Sequence, residues 1–146
     1  MKPQLLLLLS ILLISSCSNH HYTAYTIQKG EHFAKPKKVR GTFSNTIEFD
    51  VVFDSSAIYQ TPDPSDQADI NKLLGFSDCG SSHMQNAARF GWRWYKDEIQ
   101  ILPYGYVKGE RFWNKEPKMK PIVLYSADIG ENIRLRITKE KGIYNF

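Results

Sequence analysis

What this sequence has little of narrows it quickly. Its longest apolar run, Leu5 to Ile14, is short for a helix that crosses a bilayer, which argues against a single-pass membrane anchor and leaves that, with an ordinary secretory signal, as the alternative to the reading below. No window carries the apolar period of an amphipathic helix, so a helical bundle is excluded and short strands remain. Histidine is sparse: His20 and His21 sit side by side near the start, His32 and His83 are far apart, and no dense set of ligands accompanies them, which argues against zinc. Charge of one sign is not concentrated either. The 19 Lys+Arg face 15 Asp+Glu, a net of +4, whereas a nucleic-acid binder needs a basic face interleaved with aromatics. Cysteine is limited to Cys17 and Cys79.

What is present at the start is ordered. Lys2 precedes the apolar run, and Ile14-Ser15-Ser16-Cys17 follows it. This resembles the signal of bacterial lipoproteins, in which an aliphatic residue and two small ones precede a cysteine that is lipidated and becomes the first residue after cleavage. The resemblance implies that residues 1–16 are removed, that Cys17 carries the acyl chains, and that 17–22 form a short lipidated tether. Two or three acyl chains, at about 0.8 kcal/mol per buried CH2, suffice for stable anchoring. In Gram-negative lipoproteins an Asp directly after the cysteine favours the inner membrane; Ser18 stands there, so the outer membrane is expected. The acidic cluster that marks surface-exposed lipoproteins is absent from Ser18-Asn19-His20-His21-Tyr22, which favours a periplasm-facing location over the cell surface.

The same resemblance settles the cysteines. With Cys17 committed to lipid, Cys79 has no partner in the mature chain, a disulfide scaffold is excluded, and stability must come from the core. Asp78 beside Cys79 disfavours a thiolate, so Cys79 reads as a small buried hydrophobe. Removal of Lys2 with the signal leaves 18 basic against 15 acidic residues, a net of +3. Lys35, Lys37, Lys38 and Arg40 are the one basic group near the tether, read as a solvated loop in preference to a contact with anionic head groups.

Beyond the tether the pattern is of short strands and turns, and residues 23–146 have the length of one domain. In Thr46 to Phe53, Ile47, Phe49, Val51 and Phe53 alternate with Glu48, Asp50 and Val52; in Asn132 to Thr138, Ile133, Leu135 and Ile137 alternate with Arg134 and Arg136. Lys139-Glu140-Lys141-Gly142 predicts a hairpin turn into Ile143 to Phe146, and Lys108-Gly109 a turn after Val107. Further strands are expected at Tyr22 to Ile27, Phe90 to Tyr95, Glu98 to Tyr106 and Ile122 to Tyr125. Thr61 to Asp66 reads as a loop, and Asp69 to Leu74 as the single helical turn, capped by Ser65 or Asp66. The expected fold is all-β: an antiparallel β-sandwich, jelly-roll-like. Its stop on Tyr144-Asn145-Phe146 reads like the middle of a strand, as in a longer domain cut short.

All three tryptophans lie in residues 54–113, in the blocks Ala88-Arg89-Phe90-Gly91-Trp92-Arg93-Trp94 and Leu102 to Trp113. With Asp54 to Tyr59 and Gln67 to Cys79, these blocks resemble a group of uncharacterised secreted or lipidated bacterial β-sandwich proteins. Alternation puts Arg89, Gly91 and Arg93 on one face and Phe90, Trp92 and Trp94 on the other. Those aromatics are either core or a platform for sugar rings with guanidinium groups nearby. Arg89, Arg93, Tyr104, Tyr106, Trp113 and His83 are the candidate ligand-binding residues. Tyr104-Gly105-Tyr106-Val107-Lys108-Gly109 is faintly similar to a motif of alginate lyases, which use a Tyr or His at the sugar C5 proton; His83, Gln85, Asn86 and Arg89 would then complete the site.

Asp63, Asp66, Asp69, Asn71 and Asp78 offer oxygen ligands of the kind that hold a structural calcium, although their spacing is not that of an EF-hand. No catalytic residue or cofactor is assigned. The expected function is an outer-membrane lipoprotein that recognises a glycan without catalysis. The alternatives are a lyase-like sugar-active enzyme and a purely structural envelope protein.

Overall fold

The computed structural model describes residues 21–29, 31, 34–37, 39–78, 80–112 and 122–146. Cys17, Cys79, His32 and Trp113 therefore lie outside the described residues. The chain divides into two compact units at Gly41/Thr42. In the first, β1 (Thr26–Ile27) pairs antiparallel with β2 (Ala34–Lys35), with Thr26 opposite Lys35 and Ile27 opposite Ala34. The strand expected from Tyr22 is thus shorter, because β2 offers only two residues to pair with.

The second unit, Thr42–Phe146, is an all-β, sandwich-like fold of two antiparallel sheets that do not close. Its strands are β3 (Thr46–Val52), β4 (Asn71–Ser77), β5 (Ala87–Tyr95), β6 (Glu98–Val107), β7 (Glu110–Arg111), β8 (Tyr125–Ala127), β9 (Asn132–Glu140) and β10 (Ile143–Asn145). One sheet has the order β10-β9-β3; the other is β4-β5-β6-β7, with β8 also pairing β6.

The two clearest alternating segments of the sequence are direct partners. β3 and β9 pair so that Ile47 lies opposite Ile137, Phe49 opposite Leu135 and Val51 opposite Ile133, which gathers the apolar sets on one face. On the other face Asp50 lies opposite Arg134 and Glu48 opposite Arg136, and both pairs form salt bridges. From the second sheet, Ala88, Phe90, Trp92, Ile99 and Ile101 complete the core with Phe53, Ala57, Ala127, Ile133, Leu135 and Ile137. Rings interlock across the layers, Phe49 with Phe90 at 6.1 Å and Phe53 with Trp92 at 4.9 Å between centroids. Ile99, Ile101 and Ile137 are fully buried, each stabilising the fold by about 1.5–3 kcal/mol.

Two-residue turns set the registers. Lys108-Gly109 and Lys141-Gly142 turn where the sequence places them, each with both residues at positive φ (53° and 81°, 50° and 82°). Lys96-Asp97 makes the same kind of turn between β5 and β6 without a glycine, at φ 57° and 63°. β6 changes neighbours along one edge: the Ile101 carbonyl accepts from Leu124 N–H, and the Gly105 carbonyl accepts from Phe112 N–H. Pro103 falls between them, where its missing donor faces that edge, and so it is tolerated inside a long strand.

The helical turn expected at Asp69 to Leu74 is instead the start of β4. The pairing of β4 with β5 shifts register between Lys72 and Gly75. Leu73 and Phe76 then both pack against the core while Leu74 is exposed, a spacing that imitates a helix in the sequence. The nearby 3-10 turn is Pro64–Ala68, capped not by Ser65 or Asp66 but by Asp63, whose Oδ1 accepts from Ser65 N–H at 2.9 Å. The strand expected at Ile122 to Tyr125 starts only at Tyr125, because its register sets the small, buried Ala127 opposite Ile99.

Candidate functional site

Strand alternation decides which candidate residues can meet. Phe90 and Trp92 face the core, and Trp94 packs against it. Arg89, Gly91 and Arg93 point to the opposite, outer face of the five-stranded sheet. There the register sets Arg89 opposite Tyr104 and Ala87 opposite Tyr106 on β6, Lys72 of β4 opposite Gly91, and Arg111 of β7 opposite Tyr106. A single row, Lys72, Arg89, Tyr104, Tyr106 and Arg111, therefore runs across four adjacent strands.

Its geometry is close. The Tyr104 and Tyr106 rings meet edge to face at 6.1 Å. Arg111 donates to the Tyr106 hydroxyl from Nε at 3.4 Å and from NH2 at 3.2 Å, and its Cζ lies 5.5 Å from the Tyr104 ring centre. Lys72 Nζ stands 5.3 Å from the same ring centre. Gly75 makes room beside Arg89: a Cβ there would lie 2.1 Å from the Ala88 carbonyl oxygen and 2.7 Å from Arg89 Cγ.

The two phenols are pushed apart electrostatically. Burial and a hydrogen bond donated to Tyr106 push Tyr104 up to about 12. Hydrogen bonds from Arg111 and then from Tyr104 hold Tyr106 below the usual tyrosine value, since both stabilise its phenolate. Burial lowers Arg89.

The structure places the other candidates elsewhere or gives them other work. Arg93 shares the face but pairs with Gln100, four residues along β5 from Arg89 and so about 13 Å away. It is buried, donates from Nε to Gln100 Oε1 and from NH1 to the Ala68 carbonyl, both at 2.8 Å, and stacks on Tyr95 at 4.6 Å. Arg93 is a tie between the sheet and the 3-10 turn. Gln67 completes that tie, its Nε2 donating to the Trp94 carbonyl at 2.8 Å. His83 is exposed on the turn before β5, off the sheet. Tyr104 and Tyr106 are only 5% and 8% exposed, so neither ring face forms an open stacking platform. Sequence reasoning missed Lys72 and Arg111; the one signal for them is their place on neighbouring strands, which requires the register.

Three of the five oxygen-donor residues have other tasks. Asp63 caps the 3-10 turn, Asn71 Nδ2 donates to the Tyr59 hydroxyl at 3.0 Å, and Asp78 Oδ1 accepts from Lys139 Nζ and the Tyr144 hydroxyl, each at 2.7 Å. Among the described residues no group of three or more His, Cys, Asp or Glu side chains is gathered as a metal would require.

No family model, curated protein or solved structure matches this chain. The site is therefore read from its own chemistry. On the three-stranded sheet, a shallow hollow of about 340 Å³ is lined by Glu48, Arg134, Arg136, Thr138, Asn145 and Phe146. Its charges are paired across the strands, whereas the row on the five-stranded sheet gathers charges of one sign.

Proposed function

We propose that this chain is a lipid-anchored protein of the outer membrane, facing the periplasm, whose β-sandwich recognises a carbohydrate without converting it. The observation that supports recognition is the row itself: three candidate residues, Arg89, Tyr104 and Tyr106, share one sheet face with Lys72 and Arg111. A sheet face that carries polar groups from four strands is a surface on which a rigid scaffold holds contacts at fixed spacing. The signal resemblance supports the anchor at Cys17 and an envelope ligand. Full-length protein in detergent micelles, screened on a glycan array, is expected to bind a restricted set of glycans, and Tyr106→Phe with Arg111→Gln is expected to weaken that binding. Uniformly flat binding would favour the purely structural role. For the anchor, Cys17→Ala is expected to release the protein from the membrane fraction, and unchanged fractionation would overturn it.

One observation favours a second reading, a sugar-active enzyme. The Tyr106 phenol accepts from Arg111 and Tyr104 and is held below its ordinary value, as a tyrosine base would be. Incubation with uronate polymers distinguishes the two, because elimination creates an ultraviolet-absorbing unsaturated product and binding does not.

A further inference from the structure

We infer that the row on the five-stranded sheet is an anion site, and that the carbohydrate it takes is acidic, its carboxylate or sulfate group held by Lys72, Arg89 and Arg111. This rests on the carbohydrate-recognition reading and adds to it the charge of the ligand and the residues that read it.

The argument is an accounting of charge. On the sheets elsewhere in the sandwich, Arg134 pairs with Asp50, Arg136 with Glu48 and Lys139 with Asp78, and Arg93 donates to the Gln100 and Ala68 oxygens; Lys96, Lys108 and Lys141 stand in exposed turns or beside them, not gathered on a sheet face. In the row, among the described residues, no salt bridge forms to Lys72, Arg89 or Arg111. Among the described residues, Asp69 is the carboxylate whose charge reaches Arg111. Lys72 and Arg111 both lie within 5.5 Å of the Tyr104 ring centre, and Arg89 is directly opposite Tyr104 in register. Three cations are thus drawn together beside two phenols; burial disfavours the charge on Arg89, while the Tyr106 hydroxyl favours it on Arg111. A bound anion would supply the partly buried Arg89 with the opposite charge that burial makes valuable.

The donors are also available. Arg111 spends Nε and NH2 on the Tyr106 hydroxyl, and a guanidinium carries five N–H donors, so some remain for a ligand oxygen. Guanidinium groups suit carboxylate and sulfate because two parallel N–H bonds match two oxygens. Lys72 is exposed and supplies a point charge at the rim. With the aromatic faces buried, discrimination by charge replaces stacking as the main contact.

The test uses the full chain in zwitterionic detergent, titrated calorimetrically with a galacturonic acid tetrasaccharide, its carboxyl-reduced neutral counterpart, and a sulfated oligosaccharide. At least one anionic probe is expected to bind, the neutral probe about tenfold or more weaker, with affinity falling as salt rises. Arg89→Gln and Arg111→Gln are each expected to weaken binding by about tenfold, as loss of a charge-assisted contact requires. Lys72→Gln, at an exposed position that cannot affect folding strongly, is expected to weaken it by a smaller factor. Arg134→Gln on the other sheet is expected to leave it unchanged. Equal binding of the neutral probe, or of the Lys72 and Arg89 variants, would overturn the anion site while leaving carbohydrate recognition standing. Binding of no anionic probe would overturn it too; the glycan array then decides separately whether carbohydrate recognition falls with it.

Discussion

Arg93→Met is the substitution that best separates the structural arginine from those proposed to hold a ligand. Arg93 is 8% exposed and makes two hydrogen bonds of 2.8 Å, to Gln100 Oε1 and to the Ala68 carbonyl. Hydrogen bonds to a charged group contribute about 1.5–3 kcal/mol each, and methionine leaves both acceptors unsatisfied while replacing only the apolar stem. The Gln100 amide, which donates to Glu98 Oε1 at 2.7 Å, loses its anchor as well. The expected cost is about 3 kcal/mol, offset little by methionine's flexibility. Urea unfolding reads it: with a slope of about 2 kcal/mol/M, the midpoint falls by about 1.5 M with the slope unchanged. Affinity for an acidic saccharide, measured well below the transition, is expected to stay at the wild-type value. A midpoint shift below about 0.3 M, or lost affinity at unchanged stability, would refute the assignment of Arg93 as a structural tie.

Other consequences are sharper still in sign. Gly105→Ala would place a Cβ 2.3 Å from the Ala87 carbonyl oxygen and 2.5 Å from the Phe112 ring, so it is expected to destabilise by about 1–3 kcal/mol in thermal unfolding; wild-type stability would contradict the close approach. Asp97→Gly removes a non-glycine residue from φ 63° at the β5–β6 turn and is expected to raise stability by about 0.5–1 kcal/mol; a loss on urea unfolding would contradict the turn geometry. The Lys139 ammonium, with Tyr144, holds Asp78 below the ordinary carboxylate value of 3.8. Its folded value is the lower one, so its stabilisation is fully present above about pH 4 and is lost as pH falls through that folded value. Unfolding midpoints followed from neutral pH into acid are expected to fall more steeply for wild type than for Asp78→Asn, and parallel curves would contradict the link.

Legibility followed how local each signal was. β3 and β9 show clean alternation because one face of each is core and the other carries charges, and those charges proved to be cross-strand partners, Glu48 with Arg136 and Asp50 with Arg134. The Lys-Gly turns were readable because positive φ at consecutive residues leaves few side chains to choose from. β4 was not, since its register shift at Lys72 to Gly75 turns Leu73, Leu74 and Phe76 into a helix-like spacing. The site was half legible. Arg89, Tyr104 and Tyr106 stand two residues apart or opposite one another within one hairpin, so alternation groups them. Arg93 obeys the same alternation but sits about 13 Å along the strand, a distance that period alone does not register. Lys72 and Arg111 enter only through pairing across β4 and β7, which depends on a bulge and a two-residue turn rather than on composition. Trp113 and Cys17 fall outside the described residues.

The most direct measurement of where a ligand sits is backbone and side-chain chemical-shift mapping of the full chain in micelles, titrated to saturation with an acidic oligosaccharide. The largest shifts are expected at Lys72, Arg89, Tyr106 and Arg111, with Glu48, Arg134 and Arg136 on the other sheet unmoved. Shifts centred on that other sheet, or none at saturating ligand, would contradict the account.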